Sequence, residues 1–196
     1  MRLMRASAVA GVALCVAPAF GVSADPVNLA DMVRESGQIV FGTVAAVTQG
    51  LDEDGIPYTQ IQLDVDETLR GVDAGTLTFR QFGLQNQSAD SLGRSFFKLT
   101  AVMPRYAEGE RVMLFLTPTS AIGFRTTVGL DQGRFVLGLG TLKNGANNAG
   151  LFHDVDLTKV RLDASELLLV SSQQGELDAD TFVAFVRRAV RENWWN

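Results

Sequence analysis

The stretch PYTQIQLDVDETL, Pro57 to Leu69, sets Ile61, Leu63, Val65 and Leu69 against Gln60, Gln62, Asp64 and Asp66. A period of two over this length would scatter apolar residues around a helix. In an extended chain it puts them on one face, the mark of a strand half in a core and half in water. The preceding run QIVFGTVAAV is a second β segment, and LDEDGIP between them has turn chemistry, so the pair predicts a long antiparallel hairpin. Further strands are expected at TLTFRQF, RVMLFL, GFRTTVG and GRFVLG, punctuated by Gly71, Gly75, Gly109 and Gly123. Short strands separated by turn signals favour a barrel or sandwich over a parallel α/β sheet.

Two segments break this period. From Asn28 to Ser36, Leu29, Met32, Val33 and Ser36 share a helical face, with Asn28 as cap, Val27 and Met32 as staple and Gly37 as left-handed stop. Near the other end Phe182, Phe185, Val186, Ala189 and Val190 recur at helical spacing. A helix from about Ala179 to Asn193 is expected, capped by Asp178 and packed on the sheet through that face. Its Arg187, Arg188 and Arg191 fall where they complement the negative helix end. Trp194 and Trp195 follow: packing is the commoner role for such residues, and a carbohydrate or membrane-interface contact is the alternative.

The first residues read differently. Met1 to Ala24 has Arg2 and Arg5, an apolar run from Ala8 to Val22, and a small-x-small end at Val22-Ser23-Ala24, the pattern of a secretory signal peptide cut before Asp25. Gly11, Pro18 and Gly21 interrupt the run, which argues against a membrane anchor. Residues 25–196 are then expected as one domain, secreted or periplasmic, with no membrane span after processing. Cleavage removes the single cysteine, Cys15, so neither a disulfide nor a thiolate metal site can contribute. It also makes the formal charge two units more negative than the −5 of the whole chain. An acidic domain is a poor partner for nucleic acid or an anionic bilayer.

Catalytic patterns are sparse. The chain has one histidine, His153 beside Asp154, and no Gly-x-Ser-x-Gly elbow or phosphate-binding glycine motif. The nearest carboxylate pair, Glu108 and Glu110, flanks a glycine before an apolar strand, as a solvated turn would. No cofactor is expected. Asp52 and Asp54 in LDEDG are candidate calcium ligands, although the distal glutamate of a calcium-binding loop is missing. Two polar connections are candidate contact surfaces. One is GLQNQSADSLGRS, with Gln85, Asn86 and Gln87; the other is LKNGANNAGLFHD, with Asn147, Asn148 and His153. In the second, Asn144-Gly145 has the chemistry of a two-residue hairpin turn, after which Leu151 and Phe152 would re-enter the core. Those turns account for the glycines; the surplus amides leave a polar contact surface open as a further role.

The ordered blocks LADMVRESGQIVFGTVAAV, YTQIQLDVDETLRG, PRYAEGERVMLFL, GLDQGRF and NNAGLF resemble a group of exported bacterial proteins of unassigned function with an OB-like barrel, over about Leu29 to Phe152. The hairpin followed by LRG is also similar to the opening of netrin-type modules, the OB-like barrels of metalloproteinase inhibitors. Those inhibitors chelate zinc through an N-terminal cysteine, which a chain beginning at Asp25 lacks, so the resemblance implies the barrel and not the inhibition. The expectation is a mainly β protein: an OB-like or netrin-like antiparallel barrel with a short N-terminal helix and a C-terminal amphipathic helix. It would act as a non-enzymatic binding or accessory module on an envelope or extracellular protein or ligand. A carboxylate-based hydrolase and a structural envelope protein are the alternatives.

Overall fold

In the computed structural model the described residues are 26–85 and 103–195. The proposed signal segment and residues 86–95 of the first polar connection, Asn86 and Gln87 among them, lie outside them. Strands β1 (Gln38–Leu51) and β2 (Pro57–Arg70) form the expected long hairpin, and β3 (Thr76–Phe82), β4 (Arg111–Leu116) and β5 (Arg134–Leu137) fall on three of the four further runs. Two short strands, β6 (Thr141–Asn144) and β7 (Leu177–Asp178), complete an antiparallel sheet ordered β3-β2-β1-β4-β5-β6-β7. The protein is therefore mainly β, as expected.

The sheet is not closed into a barrel: β3 and β7 are its two ends. GFRTTVG, which was expected to supply a strand, makes only isolated bridges, Phe124 to Arg80 and Thr127 to Leu116. Its β-branched residues favour extension, but Gly123 and Gly129 both adopt positive φ at its ends, and the chain turns before a ladder can grow.

The centre of the sheet is buried on both faces, whereas Gln62, Asp64 and Asp66 of β2 face solvent. In β4 the residues alternate between two cores. Met113 and Phe115 join α1 (Leu29–Glu35) and the C-terminal helix; Val112, Leu114 and Leu116 join Val40, Val44, Ile61, Leu63 and Phe79. That is why RVMLFL is continuously apolar. On β2 the sequence puts Leu69 on the face of Ile61, Leu63 and Val65, yet Leu69 packs with the helix-side core and the others with the opposite one. The irregularity in β1–β2 pairing between Phe41 and Gly42, which passes over Asp66, accounts for this, because a one-residue slip exchanges faces. Gly42 sits at such a point: a Cβ there would lie 2.2 Å from the Asp64 carbonyl oxygen. Gly42→Ala is expected to cost about 1–3 kcal/mol in denaturant melts, because backbone, not a flexible side chain, must move.

The helices are capped as the sequence anticipates at their N-termini. The Asn28 side chain accepts from Asp31 N–H, and Asp178 accepts from Thr181 N–H. The C-terminus of α1 differs: Ser36 is extended and returns its hydroxyl to the Met32 carbonyl at 2.6 Å, so Gly37 provides no left-handed stop. Arg70 from β2 donates to the Val33 carbonyl at the same end. A helix not expected from the sequence, α2 (Ala164–Ser171), carries a capping box made by Asp163 and Glu166. The C-terminal helix α3 (Ala179–Arg191) ends two residues earlier than expected and buries Phe182, Phe185, Val186 and Ala189.

Two arginines of α3, read only as dipole partners, act as clamps. Arg187 forms a bidentate pair with Glu67 of β2, with both contacts at 2.6 Å. Arg188 holds Glu166 of α2 through two contacts at 2.8 Å and also the Arg161 carbonyl. The Arg187 hydrogen bonds hold the Glu67 carboxyl below its ordinary value of 4.5. A depressed folded-state value makes this contribution fully present above the unfolded carboxylate range and lost as pH falls through the lowered value. Exposure limits it to about 1 kcal/mol or less. Glu67→Gln should therefore lower stability slightly at pH 7 and converge with the native protein in acid, as checked by urea melts across that range.

Candidate functional site

In the asparagine-rich connection Asn144 and Asn148 are buried, while Asn147 and His153 are exposed. Asn144 does not open a two-residue hairpin: it ends β6, and residues 145–154 follow as consecutive turns. Asn144 and Asn148 bond reciprocally. The Asn148 Oδ1 accepts from Asn144 N–H at 2.9 Å, and the Asn144 Oδ1 accepts from Asn148 N–H at 2.8 Å. The remaining amide hydrogens of Asn148 reach the Leu142 and Gly175 carbonyls, while Asn144 Nδ2 reaches the Gln132 carbonyl. Asn148 is 1% exposed. Asn147 is exposed and offers its carbonyl to Gly175 N–H. Both Asn147 and Asn148 adopt positive φ, a conformation asparagine tolerates. Leu151 does re-enter the core, and its carbonyl accepts from Leu29 N–H at 2.8 Å, tying the connection to α1.

Other singled-out residues are similarly engaged. Gln85 forms a reciprocal pair with the Tyr106 backbone, as a neighbouring strand would. Asp52 accepts from the N–H groups of Asp54 and Ile56 with the same Oδ1, which shapes the hairpin tip. Among the described residues no three His, Cys, Asp or Glu side chains converge as a metal site. Glu108 accepts from Val47 N–H; Glu110 takes Arg134 at 2.7 Å and Ala107 N–H at 3.0 Å. Arg134 also lies 3.5 Å from Asp131 and over the ring of buried Tyr106, at 5.2 Å from its centroid. Burial pushes the Tyr106 phenol well above its ordinary range. This network was not anticipated, because its members are widely separated in sequence; it braces β4 and β5 and pairs Glu110 with Arg134.

A different constellation remains open to solvent. Ala30 and Arg34 of α1, Asp154, Asp156, Lys159 and Val160 of the following connection, and Trp194 and Trp195 line a groove of about 340 Å3. The tryptophans are anchored as a packed corner, with Trp194 5.2 Å and Trp195 6.3 Å from the Phe185 ring. Arg188 stands over Trp194 at 4.9 Å. Their indole N–H groups are committed to Glu192 and to the Asp156 carbonyl. Packing is thus their role on one side, and both stay partly exposed on the other.

His153 precedes the lining residue Asp154 in the chain. Its Nδ1 lies 3.1 Å from Asp154, with both side chains more than three-quarters exposed. The Thr158 hydroxyl and amide, with Lys159 nearby, hold the Asp156 carboxyl below its usual range. Of the residues singled out in the sequence, the tryptophan pair and Asp154 line this groove; Gln85, Asp52 and Asp54 belong to other parts of the fold. Arg34 and Lys159 carried no sequence signal, because nothing local brings α1 beside the C-terminus. No protein-family model matches the sequence, and no curated protein matches it.

Proposed function

We propose that the protein is an exported, non-enzymatic binding or accessory module, and that the groove beneath Trp194 and Trp195 is where it makes contact. One observation carries this reading: the groove combines partly exposed indole surface with both signs of charge, while Glu110 is paired with Arg134 and Asn148 is bonded to the protein's own backbone. Anchored aromatic surface with a few polar groups around it is the usual make-up of a ligand site, and about 340 Å3 lies within the range of such sites. The hydrolase alternative loses support because Glu110 is ion-paired.

The OB-like reading belongs to the same proposal. It is supported by the parallel bridge from Phe124 to Arg80 of β3 and the antiparallel bridge from Thr127 to Leu116 of β4, which join the two sides of the β3-β2-β1-β4 segment through residues 124–127. Among the described residues no helix is long and apolar enough to cross a membrane. Mature protein from the native host should have an intact mass beginning at Asp25. As bait on an envelope fraction, Trp195→Ala and Lys159→Ala should each lose the partner retained by the native chain, and Asn147→Gly should keep it. Retention of Met1 to Ala24, or capture indifferent to both groove substitutions, would count against the reading.

A further inference from the structure

The chemistry of the groove narrows what it can hold. Both indole N–H groups are already satisfied within the protein, so the tryptophan surface left facing outward is apolar ring rather than hydrogen-bond donor. An occupant must therefore bring C–H or aromatic faces to it. The charged side chains along the rest of the wall are of both signs, Arg34 and Lys159 with Asp154 and Asp156, and Arg34 also pairs with Asp31 at 2.6 Å. A ligand of either sign would gain attraction from one pair and repulsion from the other. Hydroxyl groups can accept from the guanidinium and ammonium and donate to the carboxylates, so they use both pairs at once. The two acids and the negative overall charge also oppose an anionic bilayer surface.

We propose that this groove binds a neutral, hydroxyl-rich carbohydrate, a short segment of a glycan chain, with a sugar C–H face on Trp195 and hydroxyls shared between Lys159 and Asp154. The proposal rests on the groove being the contact site and specifies the class of ligand. The volume suits a short glycan segment. The neutral character predicts weak dependence on ionic strength, because no net charge is neutralised on binding.

The chain has two tryptophans, and both line the groove, so intrinsic fluorescence reports on the site directly. Mature protein is titrated with chitotetraose, maltotetraose and cellotetraose. At least one should give a saturable change in emission with millimolar or tighter affinity, altered less than about twofold between about 0.05 and 0.5 M salt. Trp195→Ala, read on the remaining Trp194, should weaken binding about tenfold, the scale of one aromatic stacking contact. Lys159→Ala, at an exposed position, should weaken it too, and it serves alone if Trp195→Ala does not fold.

No response to any neutral oligosaccharide up to about 10 mM overturns the proposal. So does binding unaffected by the substitutions, or a response confined to phosphatidylglycerol-phosphatidylethanolamine vesicles or to charged sugars. Envelope capture that still depends on Trp195 and Lys159 would, in those cases, leave the broader binding reading standing; loss of that dependence would remove both.

Discussion

Replacing Phe115 by alanine is expected to destabilise the protein by about 3–5 kcal/mol, the largest single effect among the substitutions considered. Phe115 is fully buried in β4, opposite Ile39 of β1, and its ring lies 5.6 Å from Phe135. Phe135 in turn stacks at 5.0 Å on Phe182 of α3, so removing the Phe115 ring opens a void at the start of a three-ring column that joins sheet to helix. The surroundings cannot collapse easily, because β4 is buried on its other face as well. Urea melts should show a lower midpoint with an unchanged slope. A loss below about 1 kcal/mol would mean that Phe115 does not pack in this core.

Asn148→Ala is expected to cost about 2–4 kcal/mol, although asparagine-rich turns are ordinarily tolerant. The substitution strands the Asn144 N–H and the Leu142 and Gly175 carbonyls in a site that is 1% exposed at Asn148. Each buried unsatisfied group is worth about 1–3 kcal/mol, and they do not add fully because neighbouring groups share partners. Alanine must also adopt the φ of 58° found at Asn148, a further strain of about 1 kcal/mol. Asn148→Gly separates the two contributions, since it relieves the backbone and keeps the lost hydrogen bonds. Asn147→Gly, exposed and likewise at positive φ, should change stability by less than about 1 kcal/mol. Equal thermal melting of Asn148→Ala and Asn147→Gly would show the reciprocal asparagine bonds to be unimportant.

The contrast between these neighbours shows what a linear reading of polar loops misses. Asn147 and Asn148 have the same chemistry and adjacent positions, yet one faces water and the other closes a hydrogen-bond network across β6 and the segment before β7. The partner that decides the matter, Gly175, is 27 residues away. Gln85 and Glu110 repeat the lesson: both read as surface chemistry until Tyr106 and Arg134 arrive beside them. Polar side chains carry little local sign of their burial, because burial depends on a partner supplied from elsewhere.

Local periodicity, by contrast, was readable. The alternation in β2, the continuous apolar run of β4 and the helical spacing of Phe182, Phe185, Val186 and Ala189 follow from backbone geometry, which fixes where successive side chains point before any partner is present. Sequence alone therefore determined the β-rich class, the long hairpin, the N-caps at Asn28 and Asp178 and most of the core. Tertiary structure decided the rest. It set the open order of the seven strands, the transfer of Leu69 to the helix-side core by a slip in register, and the meeting of Arg34, Lys159 and the C-terminal tryptophans in one groove. Those features depend on which distant surfaces bury each other, and burial is a property of the assembled chain that no segment encodes by itself.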